Sequence, residues 1–350
     1  MAMKSKQENI MGQRLKKQGA ALIIALWVLI FLSLLISSFA FDMHIEAGIS
    51  SHYRKRLKAD YLARAGIEWA KAVLARSANV NENEELEESA NEALFVSALL
   101  LSKGVGVRGV QQELGEGRFS VDILPEQGRR NVHKLSDADW REVFKQSNVP
   151  EDDNLHDKLI DCFLDWTDND GDDLKHTYGA ESNDSFYRER DYECKNAPLD
   201  TVSELGFIKE FTPEILYGGL YNEDSEDRML GIARLLTTWG ENRVNVNTAS
   251  REVLLTLSDS TEWEWMVDEV LILRKGEDEE AGTRDDGIEA DQLPQSAIPE
   301  VAGKLTIADR QYLRVISVGE VHNVRKGIGC VFKLGGKKAT PIFWNEGALP

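Results

Sequence analysis

The sequence predicts an α+β fold in which a long N-terminal α-helix, transmembrane in its first half and amphipathic in its second, packs on a small antiparallel sheet. A large all-α domain is inserted into that sheet. Three observations carry this. Residues 20 to 76 contain no proline and read as one helix. Period-two stretches suited to half-buried strands stand far apart, at 118–124 and again at 312–321 and 329–334. Between them the pattern is helical. The divisions that follow are 1–19 as a leader, 20–41 as the membrane-crossing segment, 42–127 with 306–350 as the α/β domain, and 128–305 as the inserted helical domain.

The helix begins at its most informative point. Lys16-Lys17-Gln18-Gly19 precedes an apolar run from Ala20 to Phe41, broken only by Ser33, Ser37 and Ser38. At about 1.5 Å of rise per residue that run crosses the roughly 30 Å of a bilayer core. Arg14, Lys16 and Lys17 stand before it, Asp42 and Glu46 after it, so the positive-inside bias places the N-terminus in the cytoplasm and the rest across the membrane. A secretory signal would have a shorter apolar core followed by a small-x-small cleavage site. Here the plausible processing point, Gly19–Ala20, lies before the run. Beyond the membrane Ile45, Ile49, Tyr53, Leu57 and Tyr61 recur every fourth residue, a row that drifts by about 40° per step and forms a slowly turning stripe available to a globular domain. The stripe continues through Ala63, Ala65, Ile67, Ala70, Val73 and Leu74. From 20 to 76 such a helix is about 85 Å long.

The acidic run Glu82, Glu84, Glu85, Glu87 and Glu88 reads as a solvated linker or helix start. Arg118 to Leu124 alternates and ends at Pro125, which is a strand. The insert opens twice in the same way: Arg130-Asn131-Val132 leads to Ser136 and a helix from Asp137, and Arg243 to Asn247 leads to Thr248 and a helix from Arg251. Ser136 and Thr248 are the expected N-caps, their hydroxyls accepting from backbone N–H groups that the helix start leaves without partners. The two openings form either a short internal repeat or two independent capped helices.

The 350 residues are 42% hydrophobic and 29% charged, which is a globular composition, and the net charge of -19 repels nucleic acid and anionic lipid. Asp161, Asp165, Asp168, Asp170, Asp172 and Asp173 crowd one stretch without a Lys or Arg. Asp161 and Asp165 lie one turn apart and read as the wet face of a helix. Asp168, Asp170 and Asp172 alternate in an Asn- and Gly-containing loop where hard oxygens can converge on Ca²⁺. Gly171 would put Trp166 at the first EF-hand ligand position, so that motif fails. Glu181, Asn183, Asp184, Glu189 and Asp191 supply oxygens from the following loop. The expected calcium ligands are Asp168, Asp170 and Glu181, with Asp172, Asp184 and Asp191 behind them. Cys162 and Cys194 flank these loops in polar surroundings while Cys330 sits in an apolar strand, so a Cys162–Cys194 disulfide is expected in an oxidising compartment.

A resemblance now becomes specific. The basic flank ending in Gly19 before helix formers resembles the class III signal of type IV pilins and pseudopilins, cut by prepilin peptidase after the glycine. Leu164-Asp165-Trp166-Thr167-Asp168-Asn169-Asp170, Gly179-Ala180-Glu181, Tyr187, Asn196-Ala197-Pro198-Leu199 and Glu204-Leu205 follow the signature of minor pseudopilin K of type II secretion. Asn245-Val246-Asn247-Thr248-Ala249 with Leu254 and Leu257 is similar to its second helical signature. Where the wider family has Glu at the fifth mature position this chain has Ile24, a departure that minor pseudopilin K shares. The resemblance implies a pilin-like fold, calcium near the Asp-rich loop and N-terminal methylation after processing. It also implies an inner-membrane, single-pass anchor with a periplasmic domain, and assembly at the pseudopilus tip with minor pseudopilins I and J and other pseudopilins.

Other chemistries fare worse. The six histidines have no zinc or haem spacing, and no G-x-S-x-G, P-loop or dinucleotide motif occurs. Residues 245–257 are similar to helix-hairpin-helix modules that bind DNA backbones, but Glu252, Asp259, Glu262, Glu264, Asp268 and Glu269 make the region acidic, which argues for packing and against nucleic acid. A signal-anchored periplasmic hydrolase using Asp168 and Asp170, and a tip pseudopilin of a pilus or DNA-uptake system, are the competing readings. No acid is placed beside a nucleophile for the first, and the charge of -19 disfavours the second.

Overall fold

The structure is a computed structural model that describes residues 2–80, 92–169, 175–220, 228–292, 301, 303–307, 310–335 and 338–347, with side chains from residue 21 onward. Its first element is a single helix α1 (Ala2–Ser77). From residue 21 the helix is long and apolar enough to cross a bilayer, with a mean hydropathy of 2.7 in its richest window and none of that window buried. Side chains from Leu22 to Phe41 that water would reject are exposed, which suits a lipid or helix-bundle surrounding.

The lower part of α1 packs on a five-stranded sheet. Its strands are β1 (Val107–Leu114), β2 (Gly117–Pro125), β3 (Tyr312–Val321), β4 (Val324–Gly335) and β5 (Lys338–Glu346), paired in that order and antiparallel throughout. Strand β3 alternates cleanly: Leu313, Val315, Ser317 and Val321 are buried, while Arg314 and Ile316 point to the opposite face. Helix and sheet approach closely because both present small residues. Ala59, Ala63 and Ala70 are wholly buried, a Cβ on Gly66 would collide with Ser317 Oγ, and one on Gly319 would collide with the Ala59 carbonyl. Helix α2 (Glu92–Ser102) packs on α1, with Ala98, Leu100 and Leu101 in the shared core.

The row Ile45, Ile49, Tyr53, Leu57 and Tyr61 is not buried by this domain; all five are 43% exposed or more. The reason is reach. The first buried residue of α1 is Ala59, and Tyr61 reaches only the rim of the sheet, lining an open cleft with Leu114, Gly117 and Val321.

Between β2 and β3 the chain leaves the sheet. The excursion contains α3 (Asp137–Gln146), α4 (Leu155–Thr167), α5 (Ser185–Arg188), α6 (Pro213–Tyr217), α7 (Arg251–Leu255) and α8 (Thr261–Leu273), tied by two-residue strand pairs. It has its own core, separate from the one under α1, in which Trp140 lies 5.1 Å from Phe163 and 5.4 Å from Phe144 between ring centroids.

The two similar openings fold alike. Residues 130–131 pair in parallel with 236–237, and 244–245 pair in parallel with 305–306. In each, the asparagine side chain accepts from the backbone two residues on: Asn131 from His133 N and Asn245 from Asn247 N, both at 3.0 Å. Ser136 caps α3 in a capping box with Asp139. At the second opening the cap is Ser250, which accepts from Val253 N, and not Thr248. Thr248 begins the turn two residues too early to reach the first helical N–H groups, and its hydroxyl instead donates to the Gly104 carbonyl. Buried Arg130 joins the two units, donating to Asp139 Oδ1 at 2.6 Å and to the Thr256 carbonyl at 2.7 Å.

Candidate functional site: the acidic loops after α4

Helix α4 is amphipathic, with Leu159, Ile160, Phe163 and Trp166 in the core of the insert. Asp165 shares that buried side. It is 0% exposed, so the expectation of a wet face fails for it. A carboxylate in such a place needs donors or a cation. The returning loop brings one set. Asp161 Oδ2 accepts from Tyr178 N at 2.9 Å, and Asp165 Oδ1 accepts from His176 N at 3.0 Å while contacting the His176 ring at Nδ1. The loop can press this close because residue 179 is glycine; a Cβ there would overlap Asp165 Oδ2. Asp165 Oδ2 is buried and accepts no hydrogen bond from the described residues.

Asp168 follows at the C-cap of α4. Ligand atoms of Asp165, Asp168 and His176 all lie within 4.8 Å of one another, the one such metal-competent group among the described residues. Partial burial pushes the His176 ring down, but the hydrogen bond and charge of Asp165, with Asp161 and Asp168 behind, outweigh it and raise its pKa. The donor chemistry fits a hard cation through the carboxylate oxygens of Asp165 and Asp168. The imidazole suits the orienting role of a group that fixes a ligand carboxylate from outside. The same three residues are also a set that zinc accepts.

The other expected ligands divide. Asp170 and Asp172 lie outside the described residues. Glu181 is 1% exposed, two positions beyond Gly179. Asp184 is employed elsewhere: it caps α5 by accepting from Phe186 N at 2.9 Å and takes Lys209 Nζ at 3.1 Å, with Lys175 Nζ at 4.0 Å. Burial raises its pKa, yet the Phe186 amide and these two lysines hold it below the usual carboxylate range. Asp191 is an exposed turn residue at φ 57°. Asp165 and His176 are the members that sequence spacing did not find. His176 is eleven residues from Asp165, with no helical or paired-ligand interval to mark it.

The expected disulfide is absent from the structure. Cys162 and Cys194 are both buried as thiols, and each points at a carbonyl of the loop between them, Cys162 Sγ at Tyr178 O and Cys194 Sγ at Ala180 O. Burial pushes the Cys162 thiol up to about 12, the character of a packed apolar group and not of a reactive one. Gly19 and Ala20 lie within the run of α1, upstream of the side chains described.

Comparison with known proteins bears on this same region. Residues 117–217, which hold β2, α3, α4 and the acidic loops, match the family model described as type II secretion system protein K. Among solved structures, a chain of the crystal structure of the GspK–GspI–GspJ complex from the enterotoxigenic Escherichia coli type 2 secretion system is similar, with a TM-score of 0.54 and 13% identity. The match covers 87% of this chain and 100% of that one. At that identity the likeness shows the fold. No curated protein sequence matches the chain.

Proposed function

We propose that this chain, whose residues 117–217 match the family model of type II secretion system protein K, is a member of that family and a minor pseudopilin. It would start or cap the pseudopilus and assist export of folded proteins across the outer membrane. The observation that carries the proposal is the division of α1: an exposed apolar upper half continuous with a lower half buried under a sheet that a bulky insert interrupts. The upper half is built for lipid and then for a bundle of like helices. The insert adds mass where a repeating subunit would be expected to be slim.

Cleavage between Gly19 and Ala20 by prepilin peptidase would put a free amine at the head of that half, with the N-terminus on the cytoplasmic face and the sheet and insert in the periplasm. An amine in an apolar core costs on the order of a few kcal/mol unless a carboxylate meets it. In the pilin family that carboxylate sits at the fifth mature position of a neighbour. Here the position is Ile24, 64% exposed and unable to compensate an amine above it. A subunit with no neighbour above needs no such carboxylate. The partners of this reading are minor pseudopilins I and J, for which the solved complex of similar fold is the support, and the resident ion is calcium at the Asp165–Asp168 loops.

The test is co-purification of the detergent-solubilised full chain with minor pseudopilins I and J, with intact mass of the recovered subunit. Recovery of a stable complex whose protein K begins at Ala20 is expected. Failure to co-purify with either partner, or retention of residues 1–19, sinks the assignment.

A further inference from the structure

A cleft of about 250 Å³ opens where the insert lies over the sheet face opposite α1. Its floor is two cross-strand rows, Arg314–Val331–Phe343 and Ile316–Gly329–Asn345, each running over β3, β4 and β5. Gly329, without a side chain, leaves the middle of the second row hollow. The roof is Thr201, Val202 and Ser203 with Trp239, whose ring stands 5.7 Å from Phe343 and closes one side. The lining is mostly apolar, with hydroxyls from Thr201 and Ser203 that bond to each other at 2.8 Å and leave one hydroxyl hydrogen to spare.

The charge balance in this cleft is uneven. The Glu126 carboxylate is buried and both its oxygens are committed: Oε1 accepts from Arg314 Nε at 2.6 Å, and Oε2 from Thr237 Oγ1 at 2.6 Å and Arg314 Nη2 at 3.3 Å. One short 3₁₀ turn later Arg129, held by its backbone N–H on the Glu126 carbonyl, brings a second guanidinium to the same wall. Its side chain makes no hydrogen bond or ion pair with the described residues. Burial, helped by the charges of Arg314 and Arg108, pushes it down to about 10 against the pull of Glu126, so it remains a cation at neutral pH. Two guanidiniums thus share one carboxylate in a largely apolar hollow, on a chain whose net charge is -19. Arg129 is only part-buried, so its guanidinium stays open to a ligand, and a planar guanidinium is matched by a two-oxygen anion.

We propose that this cleft is a binding site for a single carboxylate carried on an apolar peptide segment, with Arg129 as its cationic anchor and Trp239, Ile316 and Phe343 receiving the adjoining apolar group. The excess charge is one, which suits a monoanion. The mostly apolar lining disfavours phosphate, whose second charge the one excess guanidinium would not match. The volume suits a side chain or a chain terminus and excludes a folded surface. The carboxylate is that of an acidic side chain or of a C-terminus, and the site does not depend on the filament reading.

The experiment is isothermal titration of the full chain in detergent with acetyl-Leu-Glu-Leu-amide, acetyl-Leu-Leu bearing a free C-terminal carboxylate, neutral acetyl-Leu-Gln-Leu-amide and inorganic phosphate. At least one carboxylate probe is expected to bind about tenfold or more tightly than the neutral probe and phosphate, and the stronger of the two identifies the source. Arg129→Gln should abolish the preference. Equal or absent binding of the acidic and neutral probes, phosphate binding as well as carboxylate, or a preference that survives in Arg129→Gln would each overturn the site.

Discussion

At the scale of single residues, burial decided what spacing left open. Ser136 was legible as a cap because a helix begins one residue later and Asp139 completes the box. Thr248 and Ser250 both offer hydroxyls before α7, and only the position immediately ahead of Arg251 can reach Val253 N. Asp165 and Asp161 share one helical interval, yet Asp165 is sealed by the returning loop and Gly179, contacts made in three dimensions that periodicity cannot report. The cysteines teach the same point, since polar neighbours in sequence turned out to surround two core positions. Burial pushes the Cys162 and Cys330 thiols up to about 12, so both stay protonated at pH 8. Iodoacetamide should therefore alkylate both far more slowly in the native chain than in denaturant. Rapid native labelling of either, or a Cys162–Cys194 linkage in non-reduced peptide mass spectra, contradicts this packing.

At the scale of elements, those with a buried face announced themselves and those without did not. Helix α1, β2 and β3 carry their periods openly. Strand β1 is mostly exposed, with Gly109 at φ +64° and a register shift between Val107 and Val110, so no alternation survives to be read. Strand β5 is an exposed edge containing Pro341, which suits an edge but obscures a strand. Helix α2 is apolar almost all round, leaving no period. The apolar row on α1 was legible as a row, but its partner was not, because the sheet begins too far down. What the sheet uses is the small-residue seam of Ala59, Ala63 and Gly66 against Ser317 and Gly319. Gly66→Val should lower stability by about 1–3 kcal/mol through overpacking, read as a lower denaturant midpoint with an unchanged slope. Gly48→Val, with open space around its position, should not. Equal effects of the two would show that α1 does not seat on β3 as described.

At the scale of the whole molecule, the sheet and the insert answer different demands. The sheet closes through β2 and β3, strands separated by the entire insert, so its pairing must wait for a long loop to close, which costs entropy. The insert has an independent core and carries the carboxylates. Buried Asp165 and half-buried Asp168 bring carboxylate oxygens within 4.8 Å of each other on a chain with a net charge of -19, so a divalent cation would relieve their repulsion. Binding to the native state alone at a hundred times the dissociation constant would add about 2.7 kcal/mol. Calcium should therefore raise the melting temperature of the full chain in detergent over that in chelator. Magnesium should do less, since it holds its water and demands octahedral geometry. Asp168→Asn should remove most of the calcium shift while leaving the chelator-treated melting temperature close to wild type, because Asp168 sits at the end of α4 and not in its core. His176→Gln tests which metal the site prefers. Through oxygen ligands the calcium shift should persist, whereas a zinc site would lose a direct ligand and with it any zinc-induced shift. Identical melting in chelator and calcium, or a full calcium shift in Asp168→Asn, would mean that Asp165, Asp168 and His176 are not a calcium site.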